Sequence, residues 1–123
     1  MNEKEKAQAG LLYDANYDPE LIAERDRCKE MCYRYNQLPP SSKSKRNVLL
    51  RELLGRTGNE LLIEQPFYCD YGYNIEVGEN FYMNVNCVIL DGARVTLLAA
   101  QVFIKFLLRS PSVLSNFLFL CIV

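Results

Sequence analysis

Two hydrophobic rhythms divide this chain. Between residues 3 and 54 the apolar positions follow helical spacing, and from Leu61 onward they recur every six residues. In the first part, residues 3–10 predict a short polar helix ending at Gly10. Asp18-Pro19 then places an N-cap and a first-turn proline at the start of a second helix. Leu21, Arg25, Cys28, Cys32 and Tyr35 lie on one face of that helix, which should stop near Asn36, before Pro39-Pro40. Ser41 or Ser42 is placed to cap a third helix over roughly 42–54. It carries Val48, Leu49, Leu50, Leu53 and Leu54 and stops at Gly55.

The second rhythm is carried by short β-prone pieces: LLIEQPF, YCDYGYN, IEVGEN, FYMNVN, CVILDG and ARVT. Val77, Met83, Ile89 and Val95 form one column six residues apart, and Ile75, Phe81, Cys87, Ala93 and Ala99 form a second. Gly72, Gly78, Asn84 and Leu90 sit at the expected corners, and three of those four tolerate tight or left-handed backbone. Period two with irregular turns would read as an antiparallel hairpin. A six-residue beat instead predicts a parallel β-helix, with one short strand per face and three faces per coil. The first column breaks at Gln101.

Composition sharpens this reading at two places. With 14 basic and 15 acidic residues the net charge is −1, which argues against a nucleic-acid or anionic-membrane partner. The basic run KSKR, residues 43–46, reads as a solvated helix face, because no aromatics interleave with it. All the acidic residues lie at or before Asp91, whereas 19 of the last 27 residues are apolar. The five cysteines are an odd number behind a charged N-terminus, which predicts reduced thiols in a cytoplasmic protein. Cys28 and Cys32 could pair as metal ligands, but structural zinc needs four ligands and the chain has no histidine. They read as small buried hydrophobes, and no metal is expected.

The segments EKEKAQAGLLYDANYDPELIAER, LLRELLGRTG and FYCDYGYNIEVGENFYMNVNCVILDGARVT closely resemble the maltose and galactoside O-acetyltransferases, a branch of the hexapeptide-repeat acyltransferases. The resemblance spans residues 3–96. It implies an α+β fold, with an N-terminal helical cap (1–60) followed by the first coils of a left-handed parallel β-helix (61–96). It also implies assembly as homotrimers with acceptor sites between subunits, and acetyl transfer from acetyl-CoA to a sugar hydroxyl. In that family a histidine acts as the general base on the attacking hydroxyl.

Carried over by position, Asp14 in LLYDAN would contact sugar hydroxyls, and Asp70 in YCDYGYN is a further acceptor-site residue. Asn84 in FYMNVN would position a hydroxyl or the developing oxyanion. Tyr82 is a stacking or hydroxyl-binding neighbour, and Asp91 falls in an acidic segment where Gly92 replaces a second acid. Each also has a purely structural reading: Asp14 as a cap or turn residue, Asp70 as a corner acid, Asn84 as a corner residue with left-handed backbone.

After Thr96 the pattern gives way to LLAAQVFIKFLLRSPSVLSNFLFLCIV. A membrane anchor here would be interrupted by Gln101, Lys105, Arg109 and the SPS turn. An interfacial helix over 97–109 would have a thin polar face. The abrupt shift favours a change of reading frame or splicing, making residues 97–123 an aberrant apolar tail. The expectation is therefore a truncated acetyltransferase, inactive alone for want of the histidine and the acetyl-CoA site. The rival readings are a non-catalytic partner of a full-length paralogue, or a small protein bound to membrane through 97–123.

Overall fold

A computed structural model describes residues 1–98 and the backbone of residues 119–121. Three helices lead into short strands. Helix α1 (Glu3–Gln8) begins in a capping box, with the Asn2 side chain accepting from Glu5 N and the Glu5 side chain accepting from Asn2 N. It ends before Gly10, whose φ of 73° turns the chain. Helix α2 (Pro19–Gln37) starts where the sequence predicts, with Asp18 Oδ1 accepting from Leu21 N at 2.9 Å. Its buried face is Leu21, Cys28, Cys32 and Tyr35.

Helix α3 (Lys43–Leu53) follows Ser42, whose side chain makes no capping bond. One expectation fails here. Arg46, the last residue of the KSKR run, is buried rather than solvated. Its guanidinium donates to Pro40 O at 3.1 Å and Ile63 O at 2.9 Å, and lies 3.8 Å from Glu64. The long side chain crosses from α3 to the first strand, where the buried Ile63 carbonyl needs a donor away from water.

Strands β1 (Leu61–Ile63), β2 (Phe67–Cys69), β3 (Ile75–Val77), β4 (Phe81–Met83), β5 (Cys87–Ile89) and β6 (Val95–Leu97) each hold three residues. In the first five, the outer two point inward and the middle one points out. All pairing among these six is parallel and never between sequence neighbours: Leu61 faces Phe81, Phe67 faces Cys87, and Ile75 faces Val95. Each coil therefore takes twenty residues, not eighteen. The difference sits at one corner, where residues 70–74 and again 90–94 supply five residues instead of three.

That corner corrects the column assignment. Val95 stacks under Ile75 and Leu97 under Val77, while Ala93 lies exposed in the corner. The six-residue beat is thus already shifted before Gln101, which, like Ala99, lies outside the described residues. Left-handed backbone occurs at Gly72 (φ 84°), Asn80 (φ 53°) and Asn86 (φ 60°), and Asn84 is not among them. A seventh strand, β7 (Phe119–Cys121), pairs antiparallel with β5. The rest of the expected apolar tail, with its frame, splice and membrane readings, falls outside the description. No described helix is long and apolar enough to cross a membrane.

One core joins the helices to the coils. Tyr35, Leu50 and Leu53 from α2 and α3 pack with Ile63, Phe67, Met83 and Ile89 from the strands. Each fully buried side chain of this size contributes about 1.5–3 kcal/mol of burial free energy.

Candidate functional site

The five-residue corners stack on each other beneath α2, and Asp91 links them. Its carboxylate is fully buried and accepts from Asp70 N and Tyr71 N at 2.9 Å and from Gly72 N at 2.7 Å. Asn74 Nδ2 in turn donates to Asp91 O at 2.7 Å. Three convergent N–H groups make an anion nest, and here the protein supplies its own anion. Burial still outweighs those bonds and pushes the Asp91 carboxyl above its ordinary pKa.

Around this nest the cap contributes a ring of polar contacts. Arg25 donates to Tyr71 Oη at 2.7 Å, with its guanidinium 5.7 Å from the Tyr71 ring centre. Tyr73 Oη donates to Glu24 at 2.7 Å, and Lys4 donates to the other Glu24 oxygen at 2.5 Å. Gly92 lies directly beneath the Tyr13 hydroxyl, and a Cβ there would come within 2.8 Å of it. Asp14, the next residue, is exposed and folds its own turn, with Oδ1 accepting from Tyr17 N at 3.0 Å and Asn16 N at 3.2 Å. Asp70 is half-buried. Its carboxyl pKa is raised by that burial against the opposing charges of Arg25 and Lys29.

The five sequence-predicted residues thus fall into two sets. Asp70 and Asp91 meet at the five-residue corner, and the loop carrying Asp14 reaches it through Tyr13. Tyr82 and Asn84 belong to β4 and the β4–β5 corner instead, a different edge of the coil. Both are half-buried. Asn84 Oδ1 accepts from Val85 N at 2.8 Å, and its carbonyl accepts from Cys87 Sγ at 2.9 Å. Sequence reasoning missed Tyr13, Asn74 and the site contact of Arg25. The signal for Arg25 was its place on the buried face of α2, an odd position for a cation without a partner.

A separate cluster lies on the inner side of α2. Cys28 and Cys32 meet Cys69 of β2, with Sγ–Sγ distances of 3.5 Å (Cys28–Cys69) and 3.9 Å (Cys32–Cys69), and all three thiols are buried. Contacts with Cys28 and Cys69 pull the Cys32 thiol pKa down. The contact with Cys32, with burial, pushes Cys28 up, and contacts with Cys28 and Cys32, with burial, push Cys69 up. These three are the one group of potential metal ligands among the described residues.

Comparison with known proteins decides the family. The model for the maltose acetyltransferase hexapeptide capping motif matches residues 6–58, which span all of α2 and α3. A Saccharomyces cerevisiae protein named as an acetyltransferase is 52% identical over 88 residues, covering 72% of this chain and 45% of that protein. The chain belongs to the hexapeptide-repeat acetyltransferases. The maltose O-acetyltransferase of Clostridium difficile superposes with a TM-score of 0.75 at 41% identity, covering 79% of this chain and 52% of that one. A galactoside acetyltransferase solved with coenzyme A gives a TM-score of 0.72 at 36% identity, covering 78% and 48%. This likeness confirms the expected α+β class, a helical cap followed by the opening coils of a left-handed parallel β-helix. The chain spans about half the length of the curated acetyltransferases it matches.

Proposed function

We propose that this chain forms the cap and acceptor side of a sugar O-acetyltransferase site, whose acetyl donor is acetyl-CoA. The observation that supports it best is the five-residue corner. Asp91 holds the backbone of residues 70–72 from below at the corner that carries Asp70, and the loop of Tyr13 and Asp14 meets the same corner at Gly92. Two carboxylates at one rim are acceptors for sugar hydroxyls. In this reading Asp91 does not touch sugar itself, because both its oxygens are engaged below the surface. It is a positioning residue that acts through Asp70.

Asn84 and Tyr82 complete the acceptor side, the amide to orient the attacking hydroxyl and the phenol ring to stack on the sugar. They lie on a different edge of the coil from Asp14 and Asp70. A site using both sets therefore takes one from each of two neighbouring copies, in keeping with a homotrimer. Transfer also needs a base to remove the hydroxyl proton as it attacks the thioester carbonyl. The sequence has no histidine to serve as that base. The chain by itself therefore binds acceptor without turning it over. The relatives named for maltose and for galactoside leave the acceptor within the sugar class.

The test is to incubate the purified chain with acetyl-CoA and maltose, glucose or a galactoside, while following free coenzyme A thiol. The expected rate equals the blank. Sugar should still shift the backbone amide resonances near Asp70 and Asp14, and Asp70→Asn should abolish those shifts. Turnover above blank overturns the claim of inactivity, and unshifted amides overturn the acceptor assignment.

A further inference from the structure

We propose that Cys28, Cys32 and Cys69 form a tris-thiol site for a thiophilic trivalent species, with arsenous acid as its simplest ligand. The three sulfurs come from two elements that meet only in the folded chain, a helix turn of α2 and the end of β2. Two of the sulfur–sulfur distances are 3.5 and 3.9 Å, and all three atoms lie within 4.8 Å of one another. One central atom can therefore reach all three with small side-chain movements.

The donor set decides what that atom is. No carboxylate or imidazole joins the cluster, since Asp91 is tied to the backbone of residues 70–72 and the chain has no histidine. An all-sulfur set selects soft species. Zinc is disfavoured because it requires a fourth ligand. Charge then separates the remaining candidates. A monovalent copper ion held by three thiolates leaves two negative charges in the core, and buried unpaired charge is strongly unfavourable. Trivalent arsenic leaves none. Three S–H groups and As(OH)3 give As(SR)3 and three waters, with three As–S bonds formed, three As–O bonds broken and no change of oxidation state.

Access is also provided. Cys28 lines a partly open cavity of about 240 Å³ together with Glu24, Arg27, Leu53, Tyr71 and Tyr73. A small neutral molecule the size of arsenous acid can enter there. Capture would bolt α2 to β2 and favour the folded state by mass action.

The experiment adds arsenite to the reduced chain of residues 1–123 and reads native mass, thermal midpoint and zinc competition. The expected product carries one arsenic with three hydrogens lost, and melts at a higher temperature than the free chain. Cys69→Ser should lose the three-hydrogen signature and the upward shift, while Cys87→Ser, a buried thiol outside the trio, should keep both. Should Cys69→Ser fold poorly, the wild-type mass reading stands without it. No adduct, an adduct that loses only two hydrogens, or zinc displacing arsenite at equal concentration would each overturn the proposal.

Discussion

At the scale of single residues, Asp91 is the most constrained group outside the apolar core. Its two oxygens accept three backbone N–H bonds that no other side chain could replace from that position. In Asp91→Asn the amide oxygen can keep the pair from Asp70 and Tyr71. Its NH2 group would then face Gly72 N–H, donor against donor. Leaving one buried donor unmet costs about 1–3 kcal/mol, or a fall of about 4 °C or more in Tm. Asp14→Ala, which removes only an exposed turn acceptor, should cost about 1 kcal/mol or less. Thermal denaturation of both variants checks that order, and equal losses would show that the nest is not the support claimed for it. The sequence marks Asp91 as a candidate but does not say that it points inward. That depends on the length of the corner, which shows only once the strands are paired. Cys69 was hidden for a similar reason: it stands 41 residues from Cys28, and only the packing of α2 on β2 unites them.

Helix starts and the β-helix type were legible because each rests on neighbouring residues, a cap with its proline or an inward pair within one strand. The twenty-residue coil was not, since two added residues in a corner leave each local strand pattern unchanged and alter only its phase. Val95 and Ala93 were misassigned by that slip alone. At this scale the docking of cap on coil has an electrostatic component at Glu24. Lys4 of α1 and Tyr73 of the β2–β3 corner both donate to it. Burial alone would raise its pKa, but these two hydrogen bonds prevail and hold it below its ordinary value of 4.5. A lowered carboxyl pKa stabilises the fold fully above the ordinary value, and the contribution is lost as pH falls through the lowered one. Glu24→Gln should therefore be less stable than wild type by about 1–2 kcal/mol at pH 7. The gap should stay constant down to about pH 5 and close in more acid solution. Urea denaturation across that range is the measurement, and a gap that widens in acid would reverse the assigned sign.

For the whole molecule, the question is whether the cap and the coils are one cooperative unit. The family match stops at residue 58, near the end of the cap, and the strands begin at Leu61, so the two could be taken for separate modules. The core argues otherwise. Cys28, Cys32 and Tyr35 share one buried cluster with Phe67 and Cys69 of β2 and with Leu50 and Leu53 of α3, so the inward pair of β2 is covered in part by α2. The hydrogen bonds cross the same seam. Asn36 bonds both N–H and C=O of Phe67, at 2.9 and 3.0 Å, and Gln65 reaches back to the carbonyls of Tyr35 and Leu38. Separating the parts would strand these backbone groups and expose both apolar faces at once. Unfolding should therefore be a single transition. Helix loss by circular dichroism and thiol exposure at Cys28, Cys32 and Cys69 by a colorimetric reagent should share one urea midpoint. Reaction of these thiols at urea concentrations where the helices persist would mean that α2 lifts off an intact coil. The cap would then be a separable module, not a wall of the core.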